Sequence, residues 1–222
     1  MGRTARIVVP GCPHHVTQRG NRGVDIFADD EDRHAYLRFL RRYAVQYGLA
    51  IWAYCLMGNH VHLVVVPERE ESLARTLHDA HTVYAMRFNS RMQVGGHLWQ
   101  ARFYSAPMDD EHLWAAVRYV ERNPVRAGMV KHAADYPWSS AAAHCGIRHD
   151  ALLSPEFPPP GQIEDWPEWL RNDGDTRMIA RIRRQTHTGK PCGDDEFLSA
   201  LERKLGRSVK RKKPGPKPKQ GN

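Results

Sequence analysis

Leu49 to Leu56 and Val61 to Val66 are two runs rich in aliphatic, aromatic and β-branched residues, separated by a turn at Met57-Gly58-Asn59. So short a connection joins strands only as an antiparallel hairpin, because parallel strands need a crossover of a dozen residues or more. The chain must therefore contain an antiparallel sheet, and the flanking segments show how it is extended. His15 to Arg19 reads as an earlier strand closed by Gly20-Asn21-Arg22-Gly23. A helix follows from Asp29-Asp30-Glu31, with Ala35, Tyr36, Phe39, Leu40 and Tyr43 at helical spacing and Gly48 as its stop. After the hairpin, Ser72 is placed to cap a second helix through Leu73, Leu77 and Phe88, and His97 to Ala106 reads as a fourth strand. The order strand, helix, strand, strand, helix, strand gives an α+β fold, a ferredoxin-like split βαβ antiparallel sheet with helices on a face.

A third helix starts at Asp109-Asp110-Glu111 and must end by Asn123, since Pro124 disfavours helix at the residue before it. We divide the chain into a body over 1–140, a Pro-rich linker or wrap over 141–173, a small helical extension over 174–207 and a disordered basic tail over 208–222. The best helix of the extension is Asp194 to Leu205, stopped by Gly206.

Charge follows this division. The net charge is +8, yet residues 201–222 hold nine Lys or Arg against one acid, leaving 24 of each sign in residues 1–200. Nucleic acid becomes a candidate partner, and the tail alone is enough to supply that signal. Hydrophobic residues at 41% suffice for a packed core. Apolar runs such as Leu63 to Val66 fall far short of the roughly 20 residues of a membrane helix. The four cysteines form no C-x-x-C pair and read as reduced thiols.

Two groups of residues suggest chemistry. His60 and His62 lie two apart on a strand, so they share a face with Val64 and Val66. Neutral imidazoles side by side make half of a divalent-metal site, and two satisfied core or edge histidines explain the spacing equally well. On the third helix Leu113, Val117 and Val120 form a packing stripe. Tyr119 lies about 200° around from Val117, off the stripe, with Ala115 and Ala116 leaving room beside its ring. Such a tyrosine serves as a nucleophile, a stacking platform or an ordinary half-buried ring, and Tyr54, Tyr84 and Tyr104 are rivals.

Taken together these features resemble the HUH single-tyrosine transposases of the insertion-sequence-200-like group, and above all the REP-associated tyrosine transposases. The resembling stretch, from about Pro10 to Ser140, includes Gly11-Cys12-Pro13-His14-His15-Val16-Thr17-Gln18-Arg19-Gly20-Asn21 and Tyr54-Cys55-Leu56-Met57-Gly58-Asn59-His60-Val61-His62-Leu63. It continues through Leu98-Trp99-Gln100-Ala101-Arg102-Phe103 and Tyr119-Val120-Glu121-Arg122-Asn123-Pro124-Val125-Arg126-Ala127-Gly128.

The resemblance implies a metal-dependent enzyme that cleaves and rejoins single-stranded hairpin DNA through a 5′-phosphotyrosine. Tyr119 is then the nucleophile, and His60 and His62 bind Mg²⁺ or Mn²⁺ with Asn123 as third ligand, one turn past the tyrosine. It also implies a cytoplasmic, nucleoid-associated prokaryotic protein without a membrane role, and leaves homodimer and monomer both open. DNA contacts are expected from His15, Thr17 and Arg19, which share a strand face, from Arg102, Arg118, Arg122 and Arg126, and from tail residues Lys210, Arg211, Lys212 and Lys213. Trp99, Phe103 and Tyr104 are candidates for base stacking, with core packing the alternative. A domesticated protein that binds DNA without cutting it is the competing reading.

Overall fold

In a computed structural model, which describes residues 6–158 and 162–209, the hairpin is one half of a four-stranded antiparallel sheet. Strand β1 is His14–Arg19, β2 Leu49–Leu56, β3 His60–Pro67 and β4 Tyr104–Pro107, in spatial order β2-β3-β1-β4. The two central strands, β3 and β1, come from separate parts of the chain. Their register sets Thr17 opposite His62 and Arg19 opposite His60. Between β2 and β3 the turn closes through Met57 N–H to the His60 carbonyl at 2.9 Å.

Helix α1, Asp30–Tyr47, begins where its acids suggested: the Asp29 carboxylate accepts from Asp32 N, and Gly48 ends it at φ 65°. Helix α2, Ser72–Met92, is capped one residue earlier than expected, at Glu71, and the Ser72 hydroxyl instead accepts from Arg69 N. The two helices pack on each other, with Tyr36 and Tyr84 edge to face at 5.3 Å.

The fourth strand is much shorter than the alternation in His97 to Ala106 suggested. Only Tyr104–Pro107 pairs with β1, preceded by one isolated bridge between Gly20 and Trp99. The reason is aromatic burial. Trp99 turns back to donate to the His81 carbonyl on α2 at 3.0 Å and packs beside Tyr36 and Tyr84. The Trp99 side chain thus packs toward α2 instead of continuing a strand.

Helix α3, Asp110–Glu121, is capped by Asp109 and lies against β1, β2 and β3. It stops at Glu121, two residues before the Pro124 limit, and a single turn α4, Asn123–Arg126, follows. The rest of the described chain winds around this face through α5, Ala141–His144, and α6, Trp166–Arg171. It ends in α7, Thr176–Thr188, and α8, Asp195–Leu205. Helix α8 forms with Asp194 as its cap and Gly206 as its stop, and its Leu201 joins Ile7, Val9 and Cys12 in a small second core. Helix α7 packs on β4, α3 and β1. No helix among the described residues is long and apolar enough to cross a membrane.

Candidate active site

Period-two geometry turns His15, Thr17 and Arg19 of β1 and His60 and His62 of β3 to one side of the sheet. There they line a cleft of about 390 Å³ with Tyr119 of α3, Gln100, Tyr104, and Arg183, Thr186 and His187 of α7. A larger groove of about 780 Å³ runs beside α2, past His81 and Trp99, but neither the paired histidines nor Tyr119 reach it.

The histidines form a connected group. His15 stacks on His62 at 5.3 Å between ring centroids, and His62 meets His60 edge-on at 4.9 Å. Tyr119 stands edge-on to both His62 (5.4 Å) and His15 (5.7 Å). This contact explains how a tyrosine off the packing stripe is nevertheless only 5% exposed: α3 is covered on a second side by the sheet's histidines. Among the described residues nothing hydrogen-bonds the Tyr119 hydroxyl. The rival tyrosines are otherwise engaged. Tyr54 donates to Asp150 at 2.6 Å, Tyr84 donates to the Ile26 carbonyl, and Tyr104 stacks on His187 at 4.7 Å.

Burial keeps these imidazoles neutral. It pulls His15 down to about 3, and burial with the nearby Arg19 pulls His60 to about 4. His62 is held well below its ordinary value by burial first and then by the neighbouring His15 and His60. The ring nitrogens are also sorted. Asn59 donates its amide N–H to the Gly23 carbonyl, which turns its Oδ1 toward His60 Nδ1 at 2.6 Å. His60 therefore carries its proton on Nδ1 and presents an Nε2 lone pair. His62 uses Nδ1 toward His15 Nε2 at 3.1 Å, so its Nε2 is likewise outside any hydrogen bond to the protein.

As a donor set, two neutral imidazoles fit half of a divalent-metal site. No group of three or more His, Cys, Asp or Glu among the described residues completes one. Asn123 is 6% exposed and absent from the cleft lining; its Oδ1 accepts from Arg126 at 3.3 Å and its amide N–H donates to the Val120 carbonyl. Glu121 is turned away altogether, its carboxylate accepting from Ser140, His144 and Trp166.

The arginines expected at phosphates divide. Arg19 and Arg126 are exposed at the site, and the Arg126 guanidinium lies 4.3 Å over the Tyr119 ring. Arg102 is exposed and lines an adjoining cavity of about 520 Å³ that shares Tyr104, Thr186 and His187 with the cleft. Arg118 and Arg122 sit elsewhere. Arg118 covers the Trp169 ring at 4.3 Å, while Arg122 is buried and donates to the Leu170 carbonyl and to Asp173. Both guanidinium groups thus tie α3 to the segment around α6. Of the stacking candidates, Trp99 is half-buried and lines the larger groove with the buried Phe103, while Tyr104 faces the cleft. Lys210, Arg211, Lys212 and Lys213 lie outside the described residues.

Sequence reasoning did not find Arg183, Thr186 and His187, because α7 is rich in arginine and has little apolar surface to announce it. The available signal was the Asp175 cap, the Gly189 stop and the spacing Ile179, Ile182, Thr186.

A family model described as transposase IS200 like matches residues 8–123. A Haemophilus influenzae protein named as a REP-associated tyrosine transposase is 29% identical over 99 residues, which are 40% of this chain and 56% of that relative. The chain thus spans little more than half the length of that relative. A solved structure of a REP-associated tyrosine transposase bound to a REP hairpin is similar in fold, with a TM-score of 0.55 at 17% identity, covering 69% of this chain and 98% of that one.

Proposed function

The chain belongs to the IS200-like transposase family, and from that premise we propose that it cleaves and rejoins single-stranded hairpin DNA with Tyr119 as nucleophile. The observation that carries the reading is the edge-on contact of Tyr119 with His62, beside His60, in one cleft. The tyrosine hydroxyl is unspent, the imidazoles are neutral, and Arg19, Arg126 and Arg183 bring positive charge to a cleft that would receive a phosphodiester. A hairpin of the REP type is the proposed substrate, as bound by the similar solved structure.

The chemistry fits these parts. Tyr119 Oη forms a bond to phosphorus as the bond from phosphorus to the 3′-oxygen breaks, giving a 5′-phosphotyrosine and a free 3′-hydroxyl. The proton lost from Tyr119 balances the one gained by the departing oxygen. Attack by another 3′-hydroxyl reverses the step and joins strands without an external energy source. His60 and His62 would hold Mg²⁺ or Mn²⁺ through their Nε2 atoms. When bound, the cation would offset charge developing on the phosphate oxygens. The two nitrogens leave most of a six-coordinate shell to water and DNA, so metal and hairpin should bind more tightly together than either does alone. The Arg126 guanidinium lies over the Tyr119 ring and would bring positive charge to a phosphate attacked there.

The test is incubation of end-labelled hairpin DNA with Mn²⁺ and resolution on a denaturing gel. The wild-type protein should give a protein–DNA adduct, Tyr119→Phe none, and His60→Ala with His62→Ala should lose cleavage far more than binding. An adduct that persists in Tyr119→Phe refutes the nucleophile. Intact DNA binding without any wild-type adduct would favour the non-cleaving reading.

A further inference from the structure

Thr186 is a buried hydroxyl on α7, more than 120 residues beyond His62, and it stands 2.8 Å from His15 Nδ1, while His15 Nε2 stands 3.1 Å from His62 Nδ1. The three side chains form an unbroken chain from the C-terminal helix to the paired histidines. We propose that Thr186, acting through His15, is a positioning residue that fixes the His62 proton on Nδ1 and so leaves Nε2 free as a metal ligand. The inference rests on the proposed role of His62 and adds to it that α7 sets the ligand's state.

The argument is one of donors and acceptors. Each neutral imidazole has one N–H and one lone pair, so a single choice at Thr186 propagates along the chain. When Thr186 Oγ1 accepts from His15 Nδ1–H, His15 Nε2 is an acceptor, and His62 must donate to it from Nδ1. When Thr186 instead donates, both rings reverse and His62 carries its proton on Nε2, where it blocks coordination. Thr186 lines the cleft, so in the accepting state its own O–H is free to be met there, and this state also matches His60, whose Nδ1–H is held by Asn59. Both histidines then present the same atom to the cleft. A supporting partner of this kind orients a ligating histidine and sets its tautomer.

Thr186→Val keeps the shape and removes the acceptor. His15 would then face an apolar group with a buried N–H at Nδ1, and reversal of both rings relieves it by moving the proton to His62 Nε2. The measurements are the histidine tautomers by long-range ¹H–¹⁵N correlation in the metal-free protein and Mn²⁺ affinity by calorimetry. We expect His62 to be Nδ1-protonated in the wild type and Nε2-protonated in Thr186→Val. Mn²⁺ affinity should fall about 10–100-fold in Thr186→Val and return in Thr186→Ser. An Nε2 proton on wild-type His62, or wild-type Mn²⁺ affinity in a folded Thr186→Val, overturns the inference even if the DNA adduct forms. An Nδ1 proton on wild-type His62 in a protein that forms no adduct supports the relay while the proposed function fails. Should Thr186→Val not fold, the wild-type tautomer alone decides.

Discussion

Glu121 sits two residues from Tyr119, fully buried, and its two carboxylate oxygens join three parts of the chain. Oε1 accepts from the Ser140 hydroxyl and from His144 Nδ1 at 2.6 Å, and Oε2 accepts from Trp166 Nε1 at 2.9 Å. Glu121→Ala would leave the Trp166 and His144 N–H groups without partners, whereas Ser140 can turn toward the Tyr54 carbonyl at 3.4 Å. Two orphaned buried donors cost about 1–3 kcal/mol each, and the vacated volume adds to this. Relief of a desolvated carboxylate offsets part of the loss. The net expectation is a destabilisation of about 3–5 kcal/mol, which for a chain of this size lowers Tm by about 6–20 °C. Glu121→Gln separates hydrogen bonding from charge. Its oxygen can keep Trp166, and its amide can face Ser140 and a His144 that has changed tautomer, so it should cost only about 1–2 kcal/mol. Urea denaturation of the three proteins gives both numbers if the m-value is unchanged. A Glu121→Ala protein within about 1 kcal/mol of wild type would refute the clasp. A Gln variant as unstable as the Ala variant would show that charge, not hydrogen bonding, holds it.

Stability should also fall with acid. His14, His15 and His81 are buried, with values lowered to about 4, 3 and 3, against about 6.5 when unfolded. Their contribution is complete above the unfolded value and is lost as pH falls from 6.5 toward 4, at about 1.4 kcal/mol per pH unit for each group. Thermal melts from pH 7.5 to 5 should show Tm declining below pH 6.5, and a flat profile would contradict the burial of these rings. The last thirteen residues carry six Lys or Arg. Deleting 210–222 should weaken hairpin binding and flatten its log–log salt dependence by up to about 4, at about 0.7 per phosphate neutralised, while adduct formation at saturating DNA remains. An unchanged salt slope, measured by fluorescence anisotropy, would remove the tail from the binding surface.

Much of the sheet could be read from the chain because its signals are local. Asp29 and Gly48 bracket α1, alternation marks β2 and β3, and the three-residue turn forces their pairing. Where local pattern and tertiary packing disagree, packing decides. The segment 97–106 alternates like a strand, yet Trp99 packs on His81 of α2, and β4 shrinks to four residues. Helix α7 shows the converse: a segment rich in arginine, assigned only to a small helical extension, buries Ile182 and Thr186 against the body.

The candidate site divides along the same line. His60 and His62 are two apart on one strand, and Tyr119 stands off the stripe of one helix, so each is visible within its own element. What no element contains is the register of β1 against β3. That register pairs Thr17 with His62 and thereby sets His15 diagonally beside it, close enough to stack. A strand face that looked like a surface for DNA becomes, at His15, part of the interior of the site, while Thr17 and Arg19 remain on its rim. The difference between the three residues is not in their type or spacing. It comes from α3 and α7, which cover the inner end of that face and leave the outer end open. The positive charge that first suggests nucleic acid is concentrated in the tail, whereas the residues proposed to act on it belong to a body of balanced charge. Affinity and chemistry are therefore separable by mutation in this chain: losses in the tail should appear in binding, and losses around Tyr119, His62 and Thr186 should appear in the covalent step.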